Sequence, residues 1–182
     1  QDDDLHRAGA VLMQGARVRH HHRASFHASA AYSPCGAFRY SLSRRWGSAP
    51  AVAFIMLNPS TASEAQDDPT IARCAAIARA LGAGGITVVN LFALRATDPR
   101  VLRDAPEPVG PLNDAAILSA CSGASRVICA WGTHGAHLGR DAQVASGLTA
   151  AGIALSCLGT CRSGAPRHPL YLPAGVRPRP WP

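Results

Sequence analysis

The chain has 182 residues, 47% apolar and 16% charged, a composition of folded single domains that excludes disordered and coiled-coil classes. Its longest apolar runs are about six residues, as in Val52 to Leu57, against the ~20 needed to cross a bilayer. The net charge is +7, and all eighteen basic residues are arginine.

That charge is uneven. Leu5 to Ser63 carries seven arginines and no acid, and Ala142 to Pro182 carries four and none. If the two segments meet in space, they present a one-sign surface suited to phosphates. The plainer alternative is a chain that prefers arginine to lysine and leaves it solvated. With no secretory pattern in view, a cytoplasmic protein is expected.

Residues 1–33 have little periodicity and include Asp2-Asp3-Asp4 and His20-His21-His22. They read as a poorly structured, basic, His-rich arm whose histidines are solvated, tag-like or adventitious metal ligands. Residues 34–182 read as a single domain. Phe38 to Trp46 alternates apolar with polar, the pattern of a half-buried strand. Four further strand-length apolar runs follow: Val52 to Leu57, Ile86 to Asn90, Val127 to Trp131 and Ile153 to Leu158.

Helical patterns separate them. Ile71, Cys74, Ala75, Ala78 and Leu81 form an amphipathic stripe. Asp68 suits its cap, Pro69 its first turn and Gly82 its end. Asn113 to Cys121 and Gly135 to Ala150 read as two more helices. Apolar strands alternating with helices predict an α/β fold, a three-layer α/β/α sandwich around a central four-stranded parallel sheet. Pro166 to Pro182, with six prolines, is an Arg-containing extended tail. The six cysteines form no Cys-x-x-Cys pair. They read as reduced thiols, with no metal site, iron–sulfur cluster or other cofactor expected.

Ligands of open parallel sheets sit at the carboxyl ends of the strands. That rule points to Asn58-Pro59-Ser60-Thr61, Asn90-Leu91-Phe92, Trp131-Gly132-Thr133-His134 and the loop around His168-Pro169. Taken singly, each could be a turn, a strand end or a loop histidine.

In this order the segments resemble the uracil-DNA glycosylase superfamily. The matching strings are Phe54-Ile55-Met56-Leu57-Asn58-Pro59-Ser60, Val88-Val89-Asn90-Leu91-Phe92-Ala93-Leu94-Arg95, Ala130-Trp131-Gly132-Thr133-His134-Gly135-Ala136 and His168-Pro169-Leu170-Tyr171-Leu172. The resemblance spans about residues 50–173 and implies a monofunctional DNA glycosylase acting on uracil or a 5-substituted or damaged pyrimidine flipped out of DNA.

By that likeness Asn58 orients the attacking water, and His168 donates to the anion growing on the departing base. Asn90 reads the base edge with both donor and acceptor. Pro59, Ser60 and Phe92 complete the base site. Leu172 wedges into the vacated stack, and Arg95, Thr133, His134, Arg162 and Arg167 face DNA. A neutral amide at Asn58 is a poor base; either Asp68 caps the helix and Asp67 faces solvent, or one of the two supplies the missing base. Ser60 stands where uracil-specific members carry a tyrosine that excludes thymine's methyl group, which implies a roomier pocket. With no lysine amine for a Schiff base, strand cleavage is not expected.

The expected partner is DNA, single- or double-stranded, engaged by a nucleoid-associated monomer with no membrane contact. An enzyme of free nucleosides or nucleotides, a non-catalytic nucleic-acid-binding module and a purely structural protein are the alternatives.

Overall fold

In the computed structural model, which describes residues 15–23 and 25–182, eight strands form one mixed sheet. They are β1 (Arg17–Arg23), β2 (Phe26–Tyr32), β3 (Arg39–Arg45), β4 (Val52–Met56), β5 (Gly85–Asn90), β6 (Arg126–Cys129), β7 (Leu155–Cys157) and β8 (Arg179–Pro180). Their spatial order is β1-β2-β3-β5-β4-β6-β7-β8. β4 pairs in parallel with β5 and β6, and β6 in parallel with β7. β1, β2 and β3 extend this sheet antiparallel beyond β5, and β8 pairs antiparallel with β7.

The expectation of a four-stranded, wholly parallel sheet therefore needs correcting. The four apolar runs do pair in parallel, but they are the middle of a wider sheet. The arm is corrected too. Its residues 17–23 and 26–32 form β1 and β2, an antiparallel pair joined through β3 to the rest of the sheet. Their sequence, RVRHHHR then FHASAAY, has little apolar periodicity because the neighbouring strand and an overlying loop hold it. His20-His21-His22 lie in β1, where the His22 and His27 ring centroids are 4.4 Å apart. Asp2-Asp3-Asp4, with all of residues 1–14, lie outside the described residues.

Four α-helices complete the described chain: α1 (Pro69–Ala80), α2 (Pro99–Asp104), α3 (Asn113–Ser122) and α4 (Arg140–Ala150). The expected punctuation of α1 is present. Asp68 Oδ1 accepts from the Ile71 amide at 2.9 Å, Pro69 opens the helix, and Gly82 follows its end at φ 76°. Alternate side chains of each central strand face opposite ways. Val52, Phe54, Met56, Ile86 and Val88 pack with Ile71, Cys74 and Ala78 of α1. Ala53, Ile55, Val89, Val127 and Cys129 pack with Ile117 of α3 and with Val144 and Leu148 of α4.

This arrangement places a crevice. The chain leaves β4 by α1 toward β5 on one side, and leaves β6 by α4 toward β7 on the other. β4 and β6 are neighbours, so their outgoing loops diverge. Such a switch point opens a ligand site at the strands' carboxyl ends.

Candidate active site

A cavity of about 520 Å³ occupies that switch point. The loops after β4 and β6, the end of β5, the start of α1 and the loop before β8 all contribute walls. Asn58, Ser60, Asp68 and Asn90 line it, as do Thr133, His134, Arg167 and His168. Residues 110 positions apart in the chain thus share one chamber.

The loop carrying Asn58, Ser60 and Asp68 is held by the antiparallel extension. Arg23 Nη2 donates to Ala65 O at 2.8 Å, and Tyr32 Oη to Glu64 at 2.8 Å. Arg39 Nη1 donates to Ala62 O at 2.6 Å, and Arg44 Nη2 to Ser63 O at 2.5 Å. Arg44 also pairs with Asp67 at 2.7 Å. A loop rich in unpaired carbonyls needs donors, and arginine's planar fork supplies several from one side chain. Asp67 is consequently a partner of Arg44, not a free surface acid.

The loop before β8 is fastened in the same manner. Arg73 of α1 donates to Leu172 O at 3.0 Å and to Pro173 O at 2.5 Å. Arg167 Nη2 reaches Tyr171 O at 2.9 Å. Gly132, at φ 73°, donates its amide to Pro166 O at 2.8 Å, tying the Trp-Gly turn to this loop. The arginine surplus has therefore a structural use that net charge alone did not disclose.

Individual site groups have defined hydrogen-bonding states. Asn58 Nδ2 donates to Pro59 O at 3.1 Å and Ala96 O at 2.7 Å, so its carbonyl oxygen is the group with capacity to accept from a water. His168 Nδ1 accepts from the Leu170 amide at 3.3 Å. That acceptance fixes the neutral tautomer with its proton on Nε2, a donor. Burial pushes the imidazole below its ordinary 6.5, while Asp68 pulls it the other way. Asn90 is 1% exposed, and its Nδ2 has no partner among the described residues.

Several expected roles do not survive. Phe92 is fully buried in the core beneath α3 and α4, its ring 5.5 Å from that of His137. It cannot stack on a ligand. Pro59 is buried behind the wall, with its carbonyl accepting from the Ala96 amide at 3.0 Å. Leu172 packs onto the α1-side core and is not a projecting wedge. The exposed apolar side chains of that loop are Leu170 and Tyr171, 45% and 74% accessible. Arg162 is exposed and does not line the cavity. Arg95 is exposed over the Tyr32 ring and borders a separate, shallower groove with Thr61 and Val101.

Among the lining residues that escaped the sequence reading are Arg39, Trp131 and Tyr171. Trp131 and Tyr171 stood inside quoted motifs without a role. Arg39 was hidden by a bulge. Alternation from Leu42 places residue 39 with Ser41 and Ser43, on the face away from α1. The register slips between Ala31↔Ser41 and Tyr32↔Arg39, and the extra residue on β3 turns Arg39 toward the cavity. It is only 3% exposed.

Asp68 joins both readings offered for it. One oxygen caps α1, and the residue also lines the cavity. Asp68→Ala should cost about 1 kcal/mol through the lost cap, whereas Asp68→Asn keeps a capping oxygen. Thermal unfolding should therefore separate the two variants, with Asn close to the parent. If Asp68→Asn nevertheless abolishes turnover, the carboxylate acts on the reaction; unchanged turnover leaves it a cap alone.

Fold and site together define an open α/β protein with a ligand cavity at a topological switch point. The chain belongs to the family described as "Protein of unknown function (DUF1643)", whose profile matches residues 39–170. That span begins at Arg39 and takes in every cavity-lining residue except Tyr171. No curated protein and no solved structure matches the chain.

Proposed function

We propose that this chain is a monofunctional DNA glycosylase of the uracil-DNA glycosylase type, a three-layer α/β/α protein that hydrolyses the N-glycosidic bond of uracil or of a 5-substituted or damaged pyrimidine. The observation that carries this reading is the meeting of Asn58, Asn90 and His168 in one cavity with Asp68. Cleavage of such a bond builds positive charge on the sugar and negative charge on the leaving base. A neutral histidine with Nε2–H stabilises the second without having to surrender its proton. Asn58 orients the water through its free carbonyl oxygen. Among the described residues Asp68 is the one carboxylate in the cavity wall, and it suits the sugar side, as electrostatic partner or base. Asn90 offers the unpartnered amide that a pyrimidine carbonyl requires. The proposal includes a nucleoid-associated enzyme acting as a monomer on DNA; among the described residues no helix is long and apolar enough to cross a membrane.

A panel of end-labelled duplexes tests this. Uracil, 5-hydroxymethyluracil and thymine opposite guanine are scored for abasic sites after alkali. Release of more than one base is expected, since Ser60 leaves room at the 5-position, and strands should stay intact until alkali is added. Strict preference for uracil contradicts the roomy pocket, and strand breaks before alkali contradict the monofunctional assignment. The engagement of so many arginines with loop carbonyls favours a second reading, an N-glycoside hydrolase or transferase of free nucleosides or nucleotides. A steep fall of affinity with salt supports the polymer, and no slope supports the small substrate.

A further inference from the structure

The cavity wall is unbalanced in its hydrogen bonding. Arg39 Nε and Asn90 Nδ2 are both buried and have no partner among the described residues. The two residues are 3% and 1% exposed, and both line this one cavity. Each of these groups is a donor. His168, with Nδ1 occupied by the Leu170 amide, adds a third at Nε2 in the same wall. Burying donors without acceptors is costly, so this wall describes the ligand: it brings acceptors.

Arg39 adds charge to that description. Its guanidinium has one arm on Ala62 O and forms no ion pair among the described residues. Asp68 influences it from beyond contact distance. A buried cation that forms no ion pair among the described residues, in one wall with two further donors, is complementary to an anion.

We infer that Arg39 makes this cavity a receptor for an anionic, acceptor-rich ring, a pyrimidine that bears a negative charge when bound, with Arg39 as the residue that selects for the charge. The inference deepens the glycosylase reading and rests on it for the ring. The charge resides on a substituent of the ring, with the Arg39 guanidinium and the Asn90 N–H group as the donors to its oxygens.

Binding to the intact chain, followed by tryptophan fluorescence and calorimetry, separates the possibilities without turnover. The probes are uracil, its 5-carboxylate, the isosteric neutral 5-carboxamide and inorganic phosphate. The carboxylate is expected to bind about 10- to 100-fold more tightly than the carboxamide, with phosphate weaker than the carboxylate. Arg39→Gln should bring carboxylate and carboxamide together, and Arg39→Lys should retain part of the preference. Equal binding of the two isosteres to the parent chain overturns the inference and needs no variant that folds. Retention of the full preference in Arg39→Gln also overturns it. Phosphate binding as tightly as the carboxylate overturns the assignment of a ring. Base release from duplexes is scored separately, so a parent chain that excises bases but shows no charge preference condemns the charge inference alone. Charge preference without any excision condemns the glycosylase reading instead.

Discussion

His168→Ala is expected to lower the rate of base release by about 10²–10³-fold, the usual loss when one donor to a developing anion is removed. The Michaelis constant should move little, because the bond strengthens as charge accumulates on the base and is weak beforehand. Stability should change only slightly: the side chain's one hydrogen bond among the described residues is the 3.3 Å contact from the exposed Leu170 amide. A variant that releases base at the parent rate would remove His168 from the chemistry.

Proton linkage supplies an independent check on the same residue. The active form is neutral, with the Leu170 amide donating to Nδ1, and protonation there breaks that acceptance. Burial holds the folded imidazole below 6.5. Activity should be full at neutral pH and fall in acid with a midpoint below 6.5. For stability, the unfolded chain takes up this proton first as pH falls. The contribution is therefore complete above the unfolded value and lost as pH drops through the folded one. A rate profile that rises toward acid would show the cation to be the working form.

Asn113→Leu is expected to carry the largest stability cost among these changes. Asn113 opens α3, is fully buried, and donates through Nδ2 to Asn90 O and Leu91 O, each at 2.9 Å. Arg140 Nε reaches Leu91 O as well, at 2.9 Å, and its guanidinium continues to Asp114 and Gln143. Here two side chains satisfy the backbone where β5 ends and Asn90 enters the cavity. Leucine would leave Asn90 O without its donor, while Arg140 still serves Leu91 O.

The cost should be about 2–4 kcal/mol, lowering the melting temperature by about 5–15 °C in a chain of this size. Asn113→Asp should be at least as damaging, since it aims a carboxylate at two carbonyl oxygens. Calorimetric unfolding of both variants measures this. Base release by folded Asn113→Leu should show a raised Michaelis constant, because Asn90 loses its backing. A parent-like melting temperature would refute the brace.

The residues that escaped sequence reasoning share a physical cause. β1 and β2 form from arginine, histidine and alanine because cross-strand pairing, not apolar periodicity, decides them. Arg39 was invisible because period-two alternation holds only while the register does, and one extra residue on β3 reverses its face. Phe92 and Leu172 looked like ligand contacts because their motifs lie beside the cavity. In space, the strand end turns Phe92 into the α3–α4 core, and the Arg73 clamp seats Leu172 on the α1-side core.

Local chemistry was enough to determine the middle of this protein. Apolar runs of strand length, a carboxylate before proline and a helical stripe encode β4, α1, β5, β6 and the turns that follow them, since each rests on periodicity or capping within a few residues. Tertiary structure alone decided which faces those runs present. It also put the antiparallel hairpin over the Asn58 loop, and it buried the Arg39 guanidinium in the same cavity wall as Asn90. Those outcomes depend on register and on donors meeting carbonyls tens of residues away, information that no local window of the chain contains.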